Sequence, residues 1–307
     1  MVIDKVAFLF AGQGSQYSGM GKDLYDSFPE SKAIFDKADQ VLGFSLSDLC
    51  FSGPAEKLKQ TILSQPAILT TTIAAFEALK ARASLEPVFA AGLSLGEYSA
   101  LIACGSLNFE DGLKLVRRRA ELMEEAALSN PGKMAVVLDL SLDQIKKICT
   151  KSGAEIANIN APGQIVISGR QDAVAQASKL CLAEGAKRVI ELEVSGGFHS
   201  SLMLEASVEL KHVLDYIPVF NLSVPVISNY TSLPEYKVSQ IKENLIYQMY
   251  SLVRWEESMK FILSQGATKF FEFGPGKVLK GLMRRIDERA QVINIEKAQD
   301  IQNYAGQ

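Results

Sequence analysis

Apolar residues along the chain alternate between short continuous runs and longer stretches with helical spacing. The run KVAFLF (5–10) precedes the glycine turn AGQGSQ, and the run PVFAAG (87–92) precedes a second turn. Between roughly residues 23 and 83 the apolar positions fit helices, most clearly in SQPAILTTTIAAFEALKAR (64–82). Strands separated by helices are typical of a doubly wound α/β fold with a parallel sheet.

The pattern changes after LSNPGK (128–133), a segment of turn-forming residues. From there the predicted order is strand, helix, strand, strand, helix and strand, ending in KRVIELEV (187–194). This β-α-β-β-α-β order is that of a ferredoxin-like unit. We therefore predict a small inserted domain at 130–195 within a larger α/β domain made of 1–129 and 196–307, which ends in a helix and a strand.

The second turn places a serine between two glycines, in the order Gly92-Leu93-Ser94-Leu95-Gly96. A G-x-S-x-G turn between a strand and a helix is typical of a nucleophile elbow, in which the serine hydroxyl stands exposed. The glycines would let neighbouring backbone pass close to the turn. The alternative is that Ser94 is only a small residue where a helix begins, and the flanking strand and helix favour the elbow.

Histidine is scarce, since the chain contains only His199 and His212. This excludes a histidine-rich metal centre, and we predict no metal site. Any histidine base for Ser94 must be one of the two. His199 lies in VSGGFHSSLM, where the predicted insert ends and a cleft between domains would form. His212 lies within a predicted helix, where a surface or capping role fits better, and for His199 the alternative is an ordinary loop residue.

Composition limits the functional classes to which the protein could belong. The 307 residues are 48% hydrophobic with a net charge of −3, so no chain-wide basic field exists to hold nucleic acid or an anionic membrane. The N-terminal apolar run is too short for a signal peptide, and we expect a cytoplasmic protein. The four cysteines are widely spaced, which suits reduced thiols in the core.

The glycine turn after the first strand does not indicate a nucleotide cofactor. In AGQGSQYSG the third glycine of a dinucleotide fingerprint is replaced by Tyr17.

Three consecutive arginines lie on the helix predicted for 109–127. Arg118 points nearly opposite the apolar stripe and should be solvated. Arg117 and Arg119 flank the stripe, so either could reach a cleft, although helical geometry alone favours arginines whose charged ends extend into water. The stripe consists of Leu113, Val116, Ala120, Met123 and Ala127.

Six motifs in order resemble the malonyl-CoA:acyl carrier protein transacylases of fatty acid synthesis, over nearly the whole chain. They are FAGQGSQYSGMG (10–21), SQPAILT (64–70), GLSLGEYSAL (92–101), NAPGQIVISG (160–169), GGFHSSLM (196–203) and FEFGPGKVLKGL (271–282). The resemblance implies an α/β-hydrolase-like core with a ferredoxin-like insert. It also implies malonyl-CoA as donor, acyl carrier protein as partner and no tightly bound cofactor, and we expect a monomer.

The same resemblance implies a role for each matched residue. Ser94 would be the acylated nucleophile and His199 its general base, oriented by the backbone carbonyl of Gln248. The backbone N–H groups of Gln13 and Leu95 would bind the oxyanion.

The resemblance also implies how the acyl group is recognised. Arg119 would hold the malonyl carboxylate. Phe198 would favour malonyl over methylmalonyl, because relatives with phenylalanine there favour malonyl. One departure is Leu93, where the family often has histidine, and this bears on acyl selectivity more than on the mechanism.

Three other functions stay open at this point. A polyketide-pathway acyltransferase would share all of these motifs. A serine hydrolase or thioesterase would share the elbow, but it usually has an acid between its serine and histidine and a His-Gly motif upstream, and no histidine precedes Ser94. A non-catalytic carrier-protein-binding module would have no need of an intact Ser94 and His199.

Overall fold

The computed structural model describes residues 5–305, and within them the chain forms two β-sheets with helices packed around them. In chain order the strands are β1 (Lys5–Phe10), β2 (Pro87–Gly92), β3 (Gly132–Leu138), β4 (Glu155–Ala161), β5 (Gln164–Arg170), β6 (Arg188–Glu191), β7 (Val226–Ile227), β8 (Pro234–Glu235), β9 (Ala267–Phe273) and β10 (Gln291–Ile295).

Helices make up most of the remaining described chain. They are α1 (Lys22–Ser27), α2 (Pro29–Leu42), α3 (Leu46–Ser52), α4 (Ala55–Lys59), α5 (Thr61–Lys80), α6 (Leu95–Ala103), α7 (Phe109–Ser129), α8 (Leu142–Ser152), α9 (Gln171–Ala183), α10 (Leu204–Tyr216), α11 (Val238–Tyr250), α12 (Trp255–Ser264), α13 (Val278–Ile286) and α14 (Ala298–Ala305), with a 3₁₀ turn at Ser201–Met203.

The larger sheet has the strand order β10-β9-β1-β2-β7-β8. Every neighbouring pair from β10 to β7 is parallel, and only the edge strand β8 is antiparallel. The central strand β1 is buried because helices cover both faces of the sheet, and its Phe8 and Phe10 pack against Phe273 of β9. The predicted α/β fold with a parallel sheet is confirmed. Since Phe10 pairs with Gly92, the turns after β1 and β2 lie side by side.

The second sheet is antiparallel, with the order β4-β5-β3-β6. Its elements follow one another as the sequence predicted, with α8 and α9 covering one face. Apolar residues such as Val137, Ile145, Ile167 and Cys181 form its own buried core. The last strand ends at Glu191, earlier than the predicted 187–194, because the chain after Leu192 leaves the sheet towards the larger one.

The structure differs from the sequence prediction in the last third of the chain. Only Val226 and Ile227 of the predicted strand VPVISN pair in the sheet, because the chain turns at Ser228, whose N–H bonds to Leu233. A further helix, α14, follows the last strand and was not predicted. It buries only Ala298 and Ile301, too few apolar positions to reveal a helical period.

The antiparallel sheet is joined along β4 to the segment between α11 and α12. The N–H of Ile159 donates to the carbonyl of Val253 at 3.0 Å, and the N–H of Val253 donates to the carbonyl of Ala157 at 2.8 Å. Beside this junction a cleft opens between the carboxyl ends of the parallel strands and one face of the antiparallel sheet.

Helix α5 is the one element among residues 5–305 that is long and apolar enough to cross a membrane, with a mean hydropathy of 1.3 over 18 residues. Of that segment, 83% is buried inside the protein, as is usual for a central core helix. The four cysteines are free thiols, three of them buried and Cys104 partly exposed. Burial raises the pKa of Cys50 to about 12, so this thiol stays protonated near pH 7.

Candidate active site

Ser94 occupies a sharp turn between β2 and α6. Its backbone has φ 51° and ψ −102°, a region that a residue with a Cβ rarely adopts. A Cβ on Gly92 would lie 1.9 Å from the carbonyl carbon of Gly96, and one on Gly96 would lie 2.1 Å from the carbonyl oxygen of Phe10. The turn therefore needs both glycines, as the sequence predicted.

The hydroxyl of Ser94 does not cap the helix that it precedes. A serine immediately before a helix usually accepts a hydrogen bond from an N–H of the first turn, but the Ser94 side chain makes no such bond. Its Oγ lies instead 2.8 Å from Nε2 of His199. This contact with a histidine supports the nucleophile elbow over the alternative that Ser94 is only a small residue before a helix.

His199 lies in the segment that returns from the antiparallel sheet, and it is 5% exposed. Its Nδ1 lies 2.7 Å from the backbone carbonyl oxygen of Gln248. Because a carbonyl can only accept, Nδ1 carries the proton and Nε2 offers its lone pair to the Ser94 hydroxyl. Burial, together with the charge of Arg119, lowers the pKa of His199 from 6.5 to about 4. The ring is therefore neutral near pH 7 and free to accept a proton.

Arg119 reaches the site from α7 and is 1% exposed. One terminal nitrogen donates to Oε1 of Gln65 at 2.7 Å, and the other donates at 3.1 Å both to Ser94 Oγ and to Gln248 Oε1. A full positive charge therefore lies directly against the serine hydroxyl.

The other two arginines of α7 point elsewhere. Arg118 is the most exposed of the three and pairs with Glu121 and Glu125. Arg117 bonds to Glu121 at 2.7 Å. Helical geometry left Arg117 and Arg119 as equal candidates, and the packing of α7 against α5 and α6 turns only Arg119 towards Ser94.

Two backbone N–H groups beside Ser94 lack an internal partner. Within residues 5–305, the N–H of Gln13 and the N–H of Leu95 make no hydrogen bond to the protein. Gln13 follows β1, whose turn lies so close that a Cβ on Gly12 would be 2.3 Å from the carbonyl oxygen of Leu93. Leu95 opens α6, and the first N–H groups of a helix have no partner within the helix. Both donors are thus available next to the hydroxyl.

The cleft in front of Ser94 has a volume of about 580 Å³, within the range of small-molecule sites. Phe198, Leu93 and Met123 line it next to Ser94 and His199. The opposite wall comes from the antiparallel sheet and consists of Met134, Val136, Asn158, Asn160, Gln164 and Val166. His199 thus lies at the seam between the two sheets, where the sequence placed it, whereas His212 is exposed on α10.

Sequence reasoning gave no role to three residues that contact the site. Gln65 of α5 bonds Arg119, and Glu97 of α6 accepts from the Gln248 amide at 2.8 Å. Asn229 follows β7 and bonds the backbone of Ser94. One available signal was position, because polar residues just after the carboxyl ends of buried parallel strands commonly face the site of an α/β protein.

Residues 5–305 contain no group of three or more histidine, cysteine or acidic side chains placed to hold a metal ion. The expectation that the protein works without a metal or a tightly bound cofactor stays a prediction.

Comparison with known proteins gives a consistent result. A model of the acyl transferase domain matches residues 7–296. A malonyl CoA-acyl carrier protein transacylase of Bacillus subtilis (strain 168) is 47% identical over 305 residues, covering 98% of this chain and 96% of the relative.

Solved structures agree with this similarity. An acyl carrier protein S-malonyltransferase from Vibrio cholerae superposes with a TM-score of 0.95 at 38% identity, covering 98% of this chain and 99% of the other. A malonyl-transacylase in complex with its type II PKS acyl-carrier protein superposes with a TM-score of 0.96 at 36% identity, with the same coverage.

Proposed function

Because the chain belongs to the acyl transferase domain family, we propose that it transfers the malonyl group of malonyl-CoA to the phosphopantetheine thiol of acyl carrier protein in fatty acid synthesis. One observation carries the proposal. Ser94 Oγ lies within hydrogen-bond distance of a neutral histidine on one side and of a buried arginine on the other. A histidine base suits acyl transfer, and an arginine suits an acyl group that ends in a carboxylate.

In the first half-reaction, Ser94 Oγ attacks the thioester carbonyl while His199 Nε2 takes the hydroxyl proton. The new oxyanion is held by the N–H groups of Gln13 and Leu95, and losing one such donor typically costs about 3–4 kcal/mol. The carbon–sulfur bond then breaks, His199 protonates the departing coenzyme A sulfur, and malonyl-serine remains. The carrier-protein thiol attacks this ester in the reverse sequence of proton transfers.

Gln248 supports the histidine through this cycle. Its carbonyl accepts from Nδ1 of His199, which fixes the ring orientation and stabilises the imidazolium that forms during attack. The side-chain amide of the same residue bonds the carbonyl of Ser94 at 3.0 Å.

Arg119 gives the site its preference for a carboxylate. In this structure its terminal nitrogens donate to neutral oxygens of Gln65, Gln248 and Ser94. A malonyl carboxylate would replace neutral acceptors by a charged one, and charge-assisted bonds are about twice as strong. The carboxylate would also offset the charge of Arg119, which after burial is the second cause of the lowered pKa of His199.

Phe198 is the residue that we propose discriminates between acyl groups. It is 4% exposed and lines the cleft beside Ser94, and burial among its neighbours restricts the motion of its ring. A fixed ring leaves room for the methylene of malonyl and crowds a methyl branch. Leu93, which precedes the serine in the chain, adds apolar surface to the same cleft.

The finer description of the fold belongs to the same proposal. The elbow after a parallel strand supports an α/β-hydrolase-like core, and the strand order β4-β5-β3-β6 supports a ferredoxin-like insert. We place that insert at 130–195, because β3 begins at Gly132 and β6 ends at Glu191. Action as a monomer in the cytoplasm also stays a prediction.

The alternatives differ in what the site supports. A polyketide-pathway acyltransferase remains open, because one similar structure holds a type II PKS carrier protein. A serine hydrolase is less well supported, because a carbonyl and not a carboxylate accepts from His199 Nδ1.

Intact-mass spectrometry after incubation with malonyl-CoA tests the proposal. We expect a stable adduct of one malonyl group that disappears when a pantetheinylated carrier protein is added and becomes malonylated. Release of free malonate without transfer would indicate a hydrolase, and absence of any adduct would indicate a binding module. Comparing carrier proteins of fatty acid and polyketide synthesis at equal concentration distinguishes the two pathways by the rate of transfer.

A further inference from the structure

We propose that Asn229 is a positioning residue that holds the backbone of Ser94 in its reactive conformation. The proposal rests on the acyl transfer proposed for Ser94 and adds to it a residue without contact to the reacting atoms. It starts from the conformation of Ser94, whose φ of 51° and ψ of −102° persist only where the surroundings enforce them.

The side chain of Asn229 makes two hydrogen bonds to the chain where it enters the bend. Its Oδ1 accepts from the N–H of Ser94 at 2.6 Å, and its Nδ2 donates to the carbonyl oxygen of Gly92 at 2.7 Å. The two partners are an N–H and a C=O only two residues apart. One amide group therefore fixes the spacing between the end of β2 and the nucleophile.

Asn229 is itself held firmly. It is completely buried. Its backbone N–H donates to Oε2 of Glu97 at 3.0 Å, and its backbone carbonyl accepts from the N–H of Arg254 at 2.9 Å. With both backbone groups and both ends of the amide bonded, the side chain cannot turn over without placing N–H against N–H and oxygen against oxygen.

The anchor of Asn229 also serves the base. Glu97 Oε2 accepts from Gln248 Nε2 at 2.8 Å as well as from Asn229, and Gln248 supplies the carbonyl that orients His199. Nucleophile and base are thus tied to the same carboxylate oxygen. Asn229 acts at the nucleophile end of this chain of hydrogen bonds.

The chemistry of the position favours asparagine. Aspartate would keep the acceptor for Ser94 but would oppose the Gly92 carbonyl with a second oxygen, beside the carboxylate of Glu97. Alanine would leave the N–H of Ser94 and the carbonyl of Gly92 without their partner. In both cases the bend loses its fixed spacing while the hydroxyl, the histidine and the arginine are all still present.

The test uses Asn229→Ala and Asn229→Asp, with Ser228→Ala as matched control. Ser228 is the preceding buried residue, and its hydroxyl accepts from the N–H of Tyr230 within the same turn, away from Ser94. Three quantities are measured: the single-turnover rate of malonyl-serine formation per folded molecule, the KM for malonyl-CoA, and the melting temperature.

We expect both Asn229 variants to form malonyl-serine at least 30-fold more slowly than the wild type, with KM changed less than threefold. Ser228→Ala should stay within threefold of the wild-type rate even if its melting temperature falls. A structural role alone would lower the folded fraction in all three variants without slowing the rate per folded molecule.

The proposal is overturned if Asn229→Ala acylates within threefold of Ser228→Ala. If Asn229→Ala does not fold, the same comparison with Asn229→Asp decides, since aspartate keeps the size of the side chain and one hydrogen bond. A wild-type protein that forms no adduct would instead refute the proposed function, so the two failures are distinguishable.

Discussion

The two sheets of this protein use polar residues in different ways. At the carboxyl edge of the parallel sheet, three strands end in residues of the site, namely Gln13 after β1, Ser94 after β2 and Asn229 after β7. In the antiparallel sheet the enclosed core is apolar, and its cleft-facing polar residues are the neutral Asn158, Asn160 and Gln164. Because parallel strands end at the same edge of the sheet, functional residues that are distant in the sequence lie together there. The antiparallel sheet forms the opposite wall of the cleft.

Buried charge follows the same division. Arg119 and Glu97 lie almost without solvent contact beside the parallel sheet. Burial raises the pKa of Glu97 to about 7, although Arg119 and the donors from Gln248 and Asn229 oppose the shift. The antiparallel sheet keeps charges such as Asp172 exposed, where the neighbouring Arg170 lowers the pKa of the carboxyl. Burying these charged groups lowers the stability of the region around the parallel sheet, whereas the exposed charges of the antiparallel region do not have this cost.

Removing the nucleophile should have the largest effect. Ser94→Ala is expected to abolish the malonyl adduct, because within residues 5–305 no other hydroxyl is hydrogen-bonded to His199 Nε2. The fold should survive, since alanine is no larger than serine. Intact mass after incubation with malonyl-CoA measures the adduct, and circular dichroism checks the fold. An undiminished adduct on the variant would show that another residue is acylated.

The second largest effect should separate two adjacent arginines. Arg119→Ala is expected to lower kcat/KM for malonyl-CoA by about 100-fold, the worth of a charge-assisted hydrogen bond of up to about 3 kcal/mol, and to lower it much less for acetyl-CoA. Arg118→Ala serves as control and should change neither, because it pairs with Glu121 and Glu125 at the surface. Equal losses for both donors in Arg119→Ala would mean that the arginine is only structural.

A smaller effect should appear at Phe198. Phe198→Ser is expected to raise the ratio of methylmalonyl to malonyl kcat/KM by about 10-fold or more, since a pocket discriminates one methyl group by about 1–3 kcal/mol. Total activity should also fall, because the loop next to His199 loses its packing. The measurement is kcat/KM of the wild type and of Phe198→Ser with malonyl-CoA and with methylmalonyl-CoA. If the two rates decline together and the ratio is unchanged, Phe198 only fills space.

The sequence predicts some of these residues and elements and not others. The elbow at Ser94 was predictable because strand, glycines and helix are adjacent in the chain. Arg119 could not be separated from Arg117 by periodicity, since both flank the stripe and only the packing of α7 distinguishes them. Asn229 was missed because it lies 135 residues from Ser94 and acts on backbone groups that any residue would present. Helix α14 was missed because two buried side chains leave almost no pattern.

The smallest expected effect concerns stability and compares buried with exposed carboxyls. Since the pKa of Glu97 rises from 4.5 to about 7 on folding, the folded state binds more protons than the unfolded state between these values. The free energy of unfolding should therefore decrease as pH rises from about 4.5 to 7. Glu97→Gln removes this titration, so its stability relative to wild type should improve by about 1–3 kcal/mol across that window.

Asp172→Asn is the matched control from the antiparallel region. The pKa of Asp172 is lowered by Arg170, so its contribution to stability is lost only as pH falls below about 3.8, outside the window. Urea unfolding at pH 4.5, 5.5 and 7 measures both variants against the wild type. The prediction fails if the free energy of unfolding of both variants depends on pH as that of the wild type does. Glu97 would then be ionised across the window, and its burial beside the parallel sheet would cost no more stability than the exposure of Asp172 does in the antiparallel region.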